Sequence, residues 1–325
     1  EEVARFHGYN NIPDTLSGGL NPRRGFSPVQ KAENTIGALC RTAGYNEIIT
    51  YSFISPTYYD KIHLPANSPL RNSLRILNPL GEDTSIMRTT TLPSMLEILA
   101  RNYNFRNKSA RLYELGRIYL PRADGLADEP KVLSLGAYGD IDFFGLKGVV
   151  EALLHSIRVG GVSYQACRDN ASYHPGRCAT VCVGGEQIGV LGQIHPTVCA
   201  NYGVDTALYC AELSFEALMR FQGPEPEYVP LPKFPSVARD IAVVCDASIP
   251  VATLENCISR GARGLLKEVE LFDIYTGAPI PAGKKSVAFN LTLRSDERSL
   301  TAAEADEDVK SVLELLQKEL GAVLR

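Results

Sequence analysis

The sequence predicts an α+β chain: a larger antiparallel sheet dressed with helices, followed by a smaller βαββαβ unit. Three observations carry this. Apolar residues recur at helical spacing over 28–43, 92–103, 143–158 and 302–320. Runs rich in β-branched and aromatic residues, several of them alternating, lie between those helices. A proline-rich stretch, Gln222 to Pro235, separates the long part from the short one. The expected boundaries are 1–20 for the tail of a preceding domain and its linker, 21–222 for the larger domain, 223–235 for the linker and 236–325 for the smaller domain. A chain of 325 residues has the length for two cores.

Composition bounds the function. At 45% hydrophobic residues and net charge −4 the chain is ordinary for a globular protein. No apolar run reaches the roughly 18 residues a membrane helix needs, and no signal-peptide pattern opens the chain. A cytoplasmic location with no membrane partner is therefore expected, and the eight cysteines are expected as reduced thiols. Twelve Lys and Arg against fifteen Asp and Glu leave residues 226–325 at −3, so any nucleic-acid contact there needs a local cationic patch.

In order along the chain, Glu1 to Pro13 reads as a helix tail and a turn, and Asp14 to Phe26 as a linker rich in Gly, Pro and Asn. Ser27 caps a helix, with Pro28 at its first position and Gln30 completing a capping box; Ala32, Ile36, Leu39 and Cys40 mark its apolar face, and Gly44 ends it. Glu47 to Phe53 reads as one strand, with Ile49, Tyr51 and Phe53 on one side. Leu92, Met95, Leu96, Leu99 and Tyr103 lie at helical spacing behind the loop Asn78 to Thr91, and Leu112 to Leu120 reads as a strand carrying Glu114 and Arg117, with Arg111 just before it. Phe143 to Arg158 is the next helix. Tyr173 to Ile194 is a hairpin turning at Gly184 and Gly185. His174 and His195, each before a proline, read as turn residues, since no nucleophile with an orienting acid accompanies them. Cys178 and Cys182 read as small buried apolar groups and not as zinc ligands. Beyond Pro235 come strand 238–244, helix 251–260, strands 265–274 and 286–293, helix 302–320 with its Thr301 and Glu304 capping box, and a last strand at 322–325.

The stretch NPLGEDTSIMRTTTLP followed by LYELGRIY resembles the catalytic-core-like module of the beta subunit of bacterial phenylalanyl-tRNA synthetase. The helix and strand before Pro56 resemble the first signature motif of class II synthetases, which implies a subunit interface. FFGLKG is similar to another segment of that module. FPSVARDIAVV, VELFDIYTG, GKKSVAFNLTLRS and ERSLT resemble the ferredoxin-fold anticodon-binding domain of the same subunit.

The resemblance implies a class II synthetase-like sheet and a C-terminal fragment of a chain whose editing domain lies upstream. It implies no catalytic residue here, because YELGR replaces the active strand arrangement of the second motif. Residues 189–219 likewise lack the GxGxER pattern of the third. The partners implied are a catalytic alpha subunit, in an α2β2 enzyme that uses ATP and magnesium, and tRNA for phenylalanine; neither membrane nor DNA is implied. Arg239, Lys284, Lys285, Arg294 and Arg298 match family motifs as tRNA-contacting charges. Glu1 and Glu2 match an acidic pair of a magnesium site whose aspartates would lie further upstream, so neither cofactor is expected on this chain alone. A free-standing RNA-binding protein, or an unrelated chemistry at His174 and Cys178, are the rival readings.

Overall fold

The computed structural model describes residues 1–15, 25–123 and 125–325. The expected linker over 14–26, and the expected boundary at 20 and 21, fall mostly outside the described residues. The chain divides into two compact units, Glu1–Glu225 and Pro226–Arg325.

The first unit runs α1 (Glu2–His7), α2 (Pro28–Thr42), β1 (Asn46–Glu47), β2 (Phe53–Ile54), α3 (Tyr58–Lys61), β3 (Ile86–Met87), α4 (Leu92–Asn104) and β4 (Ala110–Arg117). It continues through β5 (Leu120–Pro121), β6 (Ala127–Asp128), β7 (Lys131–Tyr138), α5 (Phe143–Ser156), β8 (Val162–Ala166), β9 (Tyr173–Val183), β10 (Glu186–Ile194), α6 (Pro196–Asn201), β11 (Leu208–Ser214) and α7 (Phe215–Phe221). Its main sheet has the order β1-β4-β7-β11-β10-β9-β8, antiparallel except for the parallel pair β1 and β4.

Local chemistry accounts for several elements. The Gln30 N–H donates to Ser27 Oγ (3.2 Å) and the Ser27 N–H to Gln30 Oε1 (2.9 Å), the capping box expected for α2. Gly184 and Gly185 take φ of 58° and 86°, the left-handed pair a tight hairpin turn requires between β9 and β10. The expected single strand over 47–53 is instead two short bridges, because the backbone of Thr50 bonds to a side chain, that of Glu114, and not to a neighbouring strand.

Both sheet faces are covered. On one, Ile36 and Cys40 of α2, Leu146, Val150 and Leu154 of α5 and Leu218 of α7 pack on Tyr113, Leu133, Leu135 and Leu213. On the other, Met95, Leu96 and Leu99 of α4, Val198 of α6, and Tyr59 and Ile62 pack on Leu112, Tyr138, Tyr173, Ile194 and Cys210.

The second unit has the order β12 (Val237–Asp246), α8 (Val251–Gly261), β13 (Leu266–Tyr275), β14 (Lys284–Leu293), α9 (Ala302–Leu320) and β15 (Val323–Leu324), which is the expected βαββαβ succession. The sheet order is β13-β14-β12-β15, with Leu254, Ile258, Val312 and Leu316 of the two helices packed on Ile241, Val243, Val287, Phe289 and Leu291. Thr301 and Glu304 form the capping box of α9, and Gly321 ends it at φ 60°. Among the described residues no helix is long and apolar enough to cross a membrane.

Candidate functional surfaces

Two charges before and on β4, Arg88 and Glu114, are buried and spent on each other. Arg88, 1% exposed, and Glu114, 4% exposed, face each other across the core. The Arg88 guanidinium donates to Glu114 Oε1 (3.1 Å) and Oε2 (3.3 Å), to Thr50 Oγ1 (2.6 Å) and to the Arg117 carbonyl (2.8 Å). Thr50 in turn donates its N–H (3.1 Å) and its hydroxyl (2.8 Å) to the same carboxylate. Gly116 makes room for this, since a β-carbon there would collide with the guanidinium. Arg111 pairs instead with Asp140 (3.4 Å), and Arg117 donates to the Glu129 carbonyl (2.7 Å).

A second carboxylate closes the front of α4. Glu212 of β11 accepts from the Thr91 N–H (2.8 Å), the Leu92 N–H (3.1 Å), and the hydroxyls of Thr90 (2.8 Å) and Thr91 (2.6 Å). Thr91 makes no side-chain cap of its own, so a residue from a distant strand satisfies the free amides at the positive end of the helix. Neither Arg88 nor Glu212 was identified by sequence as a site residue. The signal available was one arginine placed before a run of three threonines, a polar cluster inside an otherwise apolar segment.

Beside these buried groups lies an apolar surface. Thr50 points inward to Glu114, so its neighbours point outward: Ile49 is 93% exposed, Tyr51 81% and Phe53 45%. They border a groove of about 520 Å³ shared with Tyr58, Glu97, Ile98 and Arg101. The Tyr58 hydroxyl donates to Glu97 (2.9 Å); burial and that carboxylate push Tyr58 up to about 12, so it stays a protonated donor.

Other candidates resolve into structural roles. His174 accepts the Gly176 N–H at Nδ1 (3.0 Å), and His195 accepts the Thr197 N–H (3.2 Å) as the cap of α6. Cys178 is buried, and burial pushes its thiol far above the usual range, opposite to a reactive thiolate. Glu2 pairs with Arg5, and among the described residues no group of His, Cys, Asp or Glu is arranged to hold a metal ion. Glu1 and Glu2 alone do not make the near-octahedral oxygen cage magnesium requires.

In the second unit the cationic candidates stand at two ends of the sheet. Lys284 and Lys285 open β14, opposite Asp246 and Cys245, and Lys285 Nζ donates to the Ile249 carbonyl (2.5 Å). Arg239, Arg294 and Arg298 lie at the other end, paired with Asp306 (2.8 Å), Asp296 (3.4 Å) and Glu304 (2.5 Å). Nine strand positions separate Lys285 from Arg294, about 30 Å at the usual rise. The sheet face turned away from the helices is acidic. Its rows run Ala238, Thr292, Glu268; Asp240, Asn290, Glu270; and Ala242, Ala288, Asp273.

Comparison with known proteins gives consistent matches. Residues 12–215 match the family model described as the phenylalanyl tRNA synthetase beta chain CLM domain, and residues 232–325 match the ferredoxin-fold anticodon binding domain. The phenylalanine–tRNA ligase beta subunit of Clostridium acetobutylicum is 42% identical over 327 residues, covering 100% of this chain and 41% of the relative. That of Moorella thermoacetica is 39% identical over 336 residues, covering 100% and 42%. The chain thus spans about two fifths of the length of these relatives. Pyrrolysyl-tRNA synthetase from Desulfitobacterium hafniense superposes with a TM-score of 0.52 at 13% identity, over 62% of this chain and 71% of that one, a likeness of fold.

Proposed function

The chain belongs to the family of phenylalanyl-tRNA synthetase beta chains, and from that premise we propose that its first unit is a non-catalytic scaffold for a catalytic alpha subunit while its second unit contacts tRNA for phenylalanine. The assembly is an α2β2 ligase in which ATP and magnesium serve the alpha subunit's active site. This chain's part is to bind and to hold.

One observation carries the scaffold reading. Where active relatives of the fold meet ATP, on the strand of the second motif and in the region of the third, this chain places carboxylates, Glu114 and Glu212, each saturated by its own donors. A triphosphate brought there meets a packed interior in which the one guanidinium, that of Arg88, is already paired with Glu114, and Glu212 adds a negative charge, so neither space nor a free cation awaits it. The same buried pair fixes Thr50 and so turns Ile49, Tyr51 and Phe53 outward, a row suited to an apolar interface core.

The test is complex formation between this chain and a bacterial phenylalanine–tRNA ligase alpha subunit, read by size-exclusion chromatography with light scattering. A stable mixed complex is expected, lost in Ile49→Asp/Tyr51→Asp while the variant's melting temperature stays within a few degrees of the parent. Formation of the complex unimpaired by both aspartates overturns the assignment of that row. Phenylalanine activation by this chain alone overturns the non-catalytic reading.

A further inference from the structure

We propose that the turn after α4, with Arg106 and Lys108 following Phe105, is a second RNA-contact site, its cations taking backbone phosphates and Phe105 stacking on an unpaired base. It deepens the tRNA reading above and rests on it.

The charge pattern is local and one-sided. Residues 98–113 contain four Arg and Lys and no Asp or Glu, in a chain of net charge −4. Arg111 is held by Asp140, but Arg101, Arg106 and Lys108 make no ion pair among the described residues, whereas Arg41, Arg71, Arg88 and Arg220 of the same unit each do. A helix C-terminus favours cations, and that explains Arg101 in the last turn of α4. The effect fades within that turn and does not reach Arg106 and Lys108.

Conformation adds a second argument. Arg106 adopts φ 61°, the left-handed position after a helix that ordinarily belongs to glycine. A side chain is held there against backbone preference. The turn around it is rigid: the Arg106 N–H donates to the Tyr103 carbonyl (2.8 Å), Asn107 Nδ2 to Asn102 Oδ1 (2.9 Å), and the Tyr138 hydroxyl to the Asn107 carbonyl (3.0 Å). Gly139, lacking a side chain, lets the backbone of Lys108 and Ser109 close against it. Arg106 and Lys108 are therefore presented on a hydrogen-bonded frame, at the rim of a depression of about 430 Å³ that includes Tyr103, Asn104 and Tyr138.

Phe105 decides between partners. It is 77% exposed, and its chain neighbours Asn104, Arg106 and Asn107 are polar and exposed. A protein interface core surrounds such a ring with further apolar groups. An aromatic ring among cations and amides is what base stacking beside a phosphate backbone uses.

The experiment measures binding of a tRNA transcript for phenylalanine to the full chain by fluorescence anisotropy between 50 and 200 mM salt. Arg106→Gly/Lys108→Gln removes two charges and gives the turn its preferred residue, so its melting temperature should hold or rise. The expected result is a roughly tenfold weaker Kd, with the slope of log affinity against log salt shallower by about 1 to 2. Phe105→Ala should weaken binding roughly tenfold with the slope unchanged. If the double variant binds like the parent while Lys284→Gln/Lys285→Gln weakens binding, this site is overturned and the tRNA reading stands. If RNA binding is unchanged but alpha-subunit association is lost, the turn is a protein contact and the proposal fails. No measurable binding by the parent chain at low salt overturns both.

Discussion

At the scale of single residues, the buried Arg88 and Glu114 pair decides both stability and presentation. Two charges removed from water are tolerable only because four donor contacts, two from Arg88 and two from Thr50, fill the carboxylate, and a fifth ties the guanidinium to the Thr50 hydroxyl. Removing one partner leaves the other unpaired in the core. Glu114→Ala is expected to cost about 3–5 kcal/mol and to lower the melting temperature of the first unit by about 10 °C or more. The double replacement Arg88→Met/Glu114→Leu should recover most of that loss, and a cycle of four thermal melts measures the coupling. The double variant should nonetheless bind the alpha subunit less well, since Thr50 has lost the group that orients Ile49 and Tyr51; full binding would separate the pair from the interface. In the sequence, Glu114 was legible as a charge on a strand beside Arg111 and Arg117. Its partner was not, because Arg111 and Arg117 are nearer along the same strand and only the fold brings Arg88 from a preceding loop to the carboxylate.

At the scale of elements, legibility follows how local the code is. The caps at Ser27 and Thr301 and the turn at Gly184 and Gly185 are written within four residues of where they act, and each was readable. β7, at positions 131–138, was not, because a strand buried on both faces in the middle of a sheet loses the alternation that marks a half-exposed one. The 47–53 segment was misread as continuous because its central hydrogen bonds go to a distant side chain. The N-terminus of α9 offers a pH test of such a local code. The Arg298 guanidinium, and then the N–H and hydroxyl of Thr301, hold the Glu304 carboxyl down to about 2 from its usual 4.5. A depressed carboxylate contributes stability that is complete above its unfolded value and is lost as pH falls through the folded one. Fraying of the first turn of α9 is therefore expected between about pH 4.5 and about 2. Amide exchange at Thr301 and at residue 304 reads it, and in Glu304→Gln the response over that window should be flat. Thr301→Ala should cost about 1 kcal/mol at neutral pH.

At the scale of the molecule, the charges proposed to meet RNA could be named from sequence but not arranged. Five cations matched by motif fall at two ends of a sheet, and the face between them carries Asp240, Glu268, Glu270 and Asp273; strand register, which decides this, depends on pairings that no single segment specifies. The unpaired cations of the turn after α4 belong to the other unit and carried no motif at all. A division of function between two units requires that each fold by itself, and the chain makes this testable. Each unit has its own buried cluster, and Tyr228, Val229 and Leu231 between them are exposed. Limited chymotrypsin is expected to cut first after Tyr228, since Leu231 is followed by Pro232 and is a poor site. The two products should stay folded, and the smaller, about 100 residues long, should melt in one transition of about 60–80 kcal/mol by calorimetry. Cleavage that instead unfolds either product would mean that the units depend on one another for stability. The scaffold and RNA roles would then have to be assigned to the intact chain.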